Sequence, residues 1–401
     1  MRQYDVAIVG TGHGGAQAAI QLRQLGFAGR LALIGREREA PYERPPLSKD
    51  YLAGEKEFAR MLIRPPAFWA ERGVELLTGR EVVKVDASAR RLRCADGEEI
   101  GYGSLIWAAG GVPKRLPCPG GERAHVIRSR ADVDPLRVAL PAARRVAVIG
   151  GGYIGLETAA VLRKLGKEVV LLEAMDRVLA RVAGEPLSRF FEAKHRAEGV
   201  DVRLGATVEE IGEGWVRLAG GERVAADLVI AGIGIDAAAA ALLDAGAEGG
   251  NGVLVDAWCR TSLAGIHAIG DCALHESRWA GGARIRLESV QNAHGMAMAA
   301  ARDVAGEPRP YDELPWFWSN QYEVRLQSAG LWLGYDEIVL RGDPGAGSFS
   351  LLYLARGRPI AIDCVNAARD YAAGRRLVEQ GSRAAAARLA DVSRPLKDLL
   401  A

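Results

Sequence analysis

One segment occurs twice in this chain, and no other feature of the sequence restricts the possible folds as much. Residues 6–15 read VAIVGTGHGG, residues 146–155 read VAVIGGGYIG, and the two align without a gap. In each copy an apolar run stops at G-x-G-x-x-G: Gly10, Gly12 and Gly15, then Gly150, Gly152 and Gly155. Helix-compatible sequence follows both. The first glycine of such a turn permits a tight passage from strand to helix, the second lets backbone approach a pyrophosphate, and the third lets helix and strand pack closely. The helix then presents unpaired N–H groups and the positive end of its dipole to the anion. A single turn of this kind can serve chain geometry alone. Two in register, each with a second strand about 20 residues on, point to two Rossmann-like units and two dinucleotides in one α/β chain.

In the first unit, residues 4–9 predict a buried strand, 16–25 a helix and 31–34 the second strand. Such a unit needs an acid at the end of that strand to take the adenosine ribose hydroxyls. Arg36 holds the first place and Glu37 the next, so Glu37 is the candidate; a solvated charged turn in REREAPYER accounts for the same residues equally well. In residues 41–49, Pro41, Pro45 and Pro46 fix φ and exclude regular structure. Arg44 and Lys49 bring cations beside what should be a phosphate-bearing cofactor.

The second unit predicts a helix over 156–165 and a strand over 169–172 that ends at Glu173. A carboxylate there accepts from both ribose hydroxyls and repels a 2′-phosphate, which favours NADH over NADPH. Arg177 and Arg181 follow closely; they could hold such a phosphate, but a solvated turn face is the favoured reading. Glu157 lies among Leu, Ala and Val, where a carboxylate should have a partner; its other reading is a first-turn charge favourable to the helix dipole. Residues 225–235 predict a buried strand that leaves through Gly232 and Gly234.

The 401 residues have room for roughly two to three domains. With 49% hydrophobic residues the composition is that of an ordinary globular protein. No apolar run approaches a bilayer span, and neither a secretion signal nor an anchor is expected. The five cysteines are scattered without C-x-x-C spacing, which favours reduced thiols in a cytoplasm over disulfides or metal ligation. A net charge of +2 without a basic, aromatic-interleaved stripe argues against nucleic acid. No nucleophile or metal constellation is found.

The segments PYERPPLSK, IHAIGDCA, RLESVQNA and PWFWSNQYE, taken with the paired glycine motifs, resemble the FAD-dependent ferredoxin reductases of bacterial oxygenase systems, from Val6 to about Arg376. The resemblance implies a glutathione-reductase-like FAD/NAD(P) fold: an FAD-binding domain in two parts, 1–112 and 237–312, an inserted NAD-binding domain, 113–236, and a small α+β C-terminal domain, 313–401. The strand over 266–269 then delivers Gly270 and Asp271, whose carboxylate can accept from a ribityl hydroxyl; Cys272 beside it reads as a small buried residue.

Gly14, Lys49, Val82, Arg128, Asp271 and Val290 stand where that family contacts FAD, with Arg44 and Pro45 in the same rigid segment, and Arg36 stands where its members commonly place an acid. Ile154, Glu157 and Gly234 stand where the nicotinamide approaches. Trp318, within the run Trp316, Phe317, Trp318 and Tyr322, stands at the flavin edge; a buried core strand is the plainer account of its neighbours. The implied reaction is hydride transfer from NADH to FAD, then single electrons to a [2Fe–2S] ferredoxin serving a P450 or Rieske-type ring-hydroxylating oxygenase. In it Lys49 would stabilise the reduced flavin, Glu157 position the nicotinamide or balance charge, and Trp318 shield or orient the stack. Arg369, Arg375 and Arg376 read as a basic patch for an acidic partner or as a solvated face. A reductase of rubredoxin or a quinone, and a non-catalytic NADH-sensing flavoprotein, remain the alternatives.

Overall fold

The structure, a computed structural model, describes residues 1–400; Ala401, the last residue of the expected C-terminal domain, lies outside them. Contacts divide the chain into two compact units. One comprises Met1–Arg44, Phe58–Val112 and Ile235–Glu313; the other comprises, among the described residues, Pro45–Glu57, Pro113–Gly234 and the chain from Leu314 onward. The second dinucleotide segment and the C-terminal segment thus share a unit, and a short proline-rich excursion joins them.

The first unit is built on a seven-stranded sheet in the order Val74–Thr78, Leu31–Gly35, Arg2–Val9, Glu99–Trp107, Arg91–Cys94, Val82–Asp86, with Ile266–Ala268 also paired to Glu99–Trp107. Arg2–Val9 runs parallel to both of its neighbours. Its inner residues, from Val6 to Val9, are buried, as a strand covered on both faces must be. The helix His13–Gln24 follows directly and packs on the helix Val290–Val304. Ser289 caps that second helix by accepting from the Asn292 backbone N–H. Ile266–Ala268 returns to the sheet long after Glu99–Trp107, so the first unit is discontinuous in sequence.

In the second unit five parallel strands lie in the order Val200–Arg203, Glu168–Leu172, Arg145–Ile149, Leu228–Ala231, His125–Val126. The strand read from sequence over 225–235 is confined to Leu228–Ala231; the Gly232 N–H makes a last bond to the Ile149 carbonyl, and Gly234, with φ +103°, turns the chain away. A second, antiparallel sheet of five strands follows in the order Trp316–Gln321, Val324–Gly330, Arg358–Val365, Ser348–Ala355, Glu337–Asp343, and the helix Ala368–Gln380 packs on it. Buried Arg341 ties down the chain end by donating to Asp370 and to the carbonyls of Leu389, Asp391 and Arg394.

The proline-rich excursion is not devoid of regular structure, as its composition suggests. Pro45–Ser48 forms one 3-10 turn, because prolines at the first positions of a helical turn need no N–H. Tyr51 donates to Asp134 and Lys164 pairs with Glu55, which hold the excursion within its unit. Among the described residues no helix is long and apolar enough to cross a membrane.

Candidate functional site

The first glycine turn is shaped by contacts that leave no room for side chains. Gly10 has φ +115°, and a Cβ there would stand 2.1 Å from the Ala108 carbonyl oxygen. A Cβ on Gly15 would stand 1.8 Å from the Gly10 carbonyl oxygen. Gly12 differs: it caps the helix His13–Gln24 with no side-chain hydrogen bond, no acidic residue follows in the first turn, and the nearest atom to its missing Cβ is Arg44 Nε at 3.8 Å. The helix end is therefore bare and lies beside a guanidinium, as a pyrophosphate requires. A Cβ on Gly14 would stand 3.4 Å from Ile269 Cδ1 and 3.6 Å from the Ala293 carbonyl oxygen, so this glycine faces inward and serves the packing of the two helices.

Glu37 is not a freely solvated turn residue. It accepts from Arg44 at 2.5 Å and from the Tyr42 hydroxyl. Burial pushes its carboxyl up, but Arg44 and the Tyr42 bond outweigh this and hold it below the ordinary value. Arg36 is exposed. The Gly79 and Arg80 N–H groups donate to the carbonyls of Glu37 and Gly35, and Val82, two residues on, opens the strand Val82–Asp86 opposite Cys94. Asp271 lies in the 3-10 turn Gly270–Cys272, where its charge is felt by Arg44; Val290 begins the helix Val290–Val304. The donor set, the bare helix end and the basic neighbour fit the diphosphate and ribose of FAD.

In the second unit the turn repeats. A Cβ on Gly155 would stand 1.9 Å from the Gly150 carbonyl oxygen, whereas one on Gly152 would meet nothing within 4 Å. Gly152 caps the helix Tyr153–Lys164 without a side-chain bond, and no acid lies in the first turn. Glu173 leans over this turn, accepting from the Gly151 N–H at 2.6 Å and the Met175 N–H at 2.8 Å. Arg177 does not lie on a solvated face. It donates to the Ala183 and Ala180 carbonyls and to Ser188 Oγ, so its guanidinium is engaged by its own loop and by the helix Glu185–Ala197 that follows. Arg181 is exposed, with Nη2 3.7 Å from where a Gly234 Cβ would be. A carboxylate over the turn, with the nearer arginine already bonded, fits NAD(H).

Glu157 is not a first-turn charge; it is the fifth residue of its helix and 2% exposed. Its carboxylate takes three bonds: Lys49 Nζ at 2.5 Å, Ser48 Oγ at 2.9 Å and Ser319 Oγ at 2.7 Å. A buried carboxylate needs such partners. Lys49 keeps 18% of its side chain exposed. Phe317 stacks on Tyr153 with ring centroids 4.5 Å apart, and Trp318 packs on Trp316 and Phe317, so the strand Trp316–Gln321 lies along the N-terminal half of this helix, where Ile154 is exposed. Arg128 precedes the helix Arg130–Ala139 in the same unit. Neither Ser48 nor Ser319 was singled out from sequence, since an isolated serine carries no periodic or spacing signal.

Residues 4–297 match the pyridine nucleotide-disulphide oxidoreductase family, and residues 316–400 match the reductase C-terminal family. The 5,5'-dehydrodivanillate O-demethylase ferredoxin reductase subunit of Sphingobium sp. is 56% identical, covering 100% of this chain and 99% of that protein. The crystal structure of the ferredoxin reductase for the CYP199A2 system from Rhodopseudomonas palustris superposes with a TM-score of 0.95 at 37% identity, covering 99% of this chain and 100% of that one. The reductase of the covalent putidaredoxin reductase–putidaredoxin complex gives 0.94 at 36% identity, covering 99% and 98%. The two bare glycine turns, the C-terminal sheet and these full-length likenesses make the chain a flavin-dependent oxidoreductase of the pyridine nucleotide-disulphide oxidoreductase family, within its ferredoxin reductases.

Proposed function

We propose that this chain takes electrons from NADH and delivers them, by way of bound FAD, to a [2Fe–2S] ferredoxin that serves a P450 or Rieske-type oxygenase in the cytoplasm. The observation that carries the reading is the presence of two bare glycine turns together with Glu157, buried on the helix that follows the second and paired with half-buried Lys49. When bound, FAD accepts a hydride from NADH and can release its two electrons one at a time.

The chain's own residues bind and orient. Gly10, Gly12 and Gly15, with Arg44, hold the FAD diphosphate, and Asp271 and Val290 take the flavin side of that cofactor. Gly150, Gly152 and Gly155 hold the NADH diphosphate, and Glu173 takes its adenosine ribose. Glu157 fixes the Lys49 ammonium, which supplies positive charge where negative charge develops. Trp318, on a strand braced by Phe317 and Tyr153, orients the nicotinamide and limits water.

The test is anaerobic rapid mixing of the yellow holoprotein with NADH and, separately, NADPH, followed by titration with an oxidised [2Fe–2S] ferredoxin. Bleaching with NADH and stoichiometric reduction of the ferredoxin are expected. A flavin that stays oxidised under excess NADH refutes the reading. Reduction of the flavin without transfer to any of a panel of [2Fe–2S] proteins, but with transfer to rubredoxin or a quinone, reassigns the acceptor.

A further inference from the structure

The three bonds on Glu157 do not end at its immediate partners. Ser319 Oγ lies 3.2 Å from Gln321 Nε2, Gln321 Oε1 lies 2.8 Å from His195 Nε2, and His195 Nδ1 lies 3.1 Å from the Tyr322 hydroxyl. Ser319, Gln321 and His195 are all buried. The chain joins the helix Tyr153–Lys164, the strand Trp316–Gln321 and the helix Glu185–Ala197, all within the second unit.

Its direction follows from the chemistry of each group, starting at the anion. An ionised carboxylate only accepts, so Ser319 donates its single hydroxyl proton to Glu157. The Ser319 oxygen then has lone pairs to offer, and the Gln321 amide turns its NH₂ toward it. That places the amide oxygen, an acceptor, against His195, which must carry its proton on Nε2. Nδ1 is left to accept from Tyr322. Burial pushes the imidazole toward its neutral form and keeps the Tyr322 phenol protonated, consistent with these roles. Every donor in the chain therefore points toward Glu157. An amide does not readily pass a proton, so the chain is no proton wire. What it does is polarise: each bond strengthens the next in a low-dielectric interior.

We propose that Ser319, Gln321 and His195 are positioning residues, which fix the orientation and negative charge of Glu157 and, through it, the place of the Lys49 ammonium. The inference rests on the roles given to Glu157 and Lys49 above. The plain alternative is that the chain only stabilises the packing of the helix Glu185–Ala197 against the Trp316–Gln321 strand. The two differ in what they predict for residues remote from any cofactor: packing alone moves the melting temperature, whereas positioning also moves the chemistry, and only while Glu157 is charged.

The test uses the FAD-loaded full chain with Ser319→Ala, His195→Leu and His195→Gln, each alone and in a Glu157→Gln background. The readouts are the limiting rate of flavin reduction by NADH in anaerobic rapid mixing, the flavin midpoint potential, the NADH dissociation constant and the melting temperature. Ser319→Ala should slow the limiting rate about tenfold, equivalent to about 1.4 kcal/mol, and shift the midpoint potential with FAD still bound. His195→Leu should act in the same direction by about threefold, and His195→Gln, which keeps an N–H for Gln321, should restore the rate. In the Glu157→Gln background these effects should vanish, since coupled residues are non-additive. If Ser319→Ala and His195→Leu lower the melting temperature but leave rate and potential unchanged, or if their effects persist undiminished without the charge of Glu157, the proposal is wrong. If Glu157→Gln alone leaves the rate of flavin reduction unchanged, the role of Glu157 itself fails, a distinct result from failure of the chain behind it.

Discussion

Glu173 offers the sharpest quantitative prediction. Its carboxylate is held over the second glycine turn by the Gly151 and Met175 N–H groups at 2.6 and 2.8 Å, and Arg177 is engaged by the Ala180 and Ala183 carbonyls and Ser188. A 2′-phosphate arriving there meets a fixed anion. Two like unit charges at about 4 Å and an effective dielectric of about 20 repel by about 4 kcal/mol. Glu173 is only half-buried, so solvent screening reduces this to about 2 kcal/mol, or about thirtyfold. NADH in turn gains hydrogen bonds from its ribose to a charged acceptor, each contributing about 1.5 kcal/mol. Glu173→Ala removes both effects and releases the Gly151 N–H for an anion. With two such bonds lost, about 3 kcal/mol, and the repulsion of about 2 kcal/mol removed, its ratio of kcat/KM for NADH over NADPH should fall by about four-thousandfold, chiefly by loss with NADH and partly by gain with NADPH. The assay is anaerobic flavin reduction with each nucleotide, with the melting temperature as a control for folding. A wild-type protein indifferent to the two nucleotides, or a Glu173→Ala variant with an unchanged ratio, refutes the reasoning.

Three further outcomes are expected. Gly15→Ala places a Cβ 1.8 Å from the Gly10 carbonyl oxygen, a backbone contact that cannot yield, so it should cost about 3 kcal/mol and release FAD; denaturant unfolding and flavin content check it. Burial holds His195, His275 and His294 below the ordinary imidazole value; the unfolded chain thus binds more protons below about pH 6.5, stability should fall as pH drops through that range, and a flat urea midpoint between pH 7 and pH 5 would contradict it. Cys272 is buried with its thiol pushed up to about 11, Cys94, Cys259 and Cys364 are buried too, and Cys118 is partly exposed; a thiol reagent should therefore label at most Cys118 in the native protein and all five cysteines after denaturation.

What was legible in the sequence was legible because its physics is local. The two glycine turns must fold as they do because a Cβ at Gly10 or Gly150 would collide with backbone, and the strand and helix on either side follow from apolar periodicity. Glu173 could be placed because it ends a strand that begins a short distance after its turn. The local sequence leaves Glu37 open between a ribose acceptor and a solvated turn, because its bonds to Tyr42 and Arg44 form only when the loop between them closes. Arg177 departs from the solvated face that its local sequence suggests for the same reason: the carbonyls that engage it belong to a loop whose path the local sequence does not specify.

The amino-acid sequence by itself determined that the chain holds two dinucleotide cradles, that the second strand of the second cradle ends in a carboxylate, and that Glu157 would be an anomaly in an apolar helix unless something met it. Tertiary structure alone decided what met it. Lys49 and Ser319 lie 108 and 162 residues from Glu157, and closing such distances is the work of sheet pairing and core burial rather than of any residue pattern. The same holds for the polarised chain behind Ser319: a serine, a glutamine and a histidine are unremarkable in one dimension, and acquire direction only when folding buries them in line with a carboxylate that can do nothing but accept.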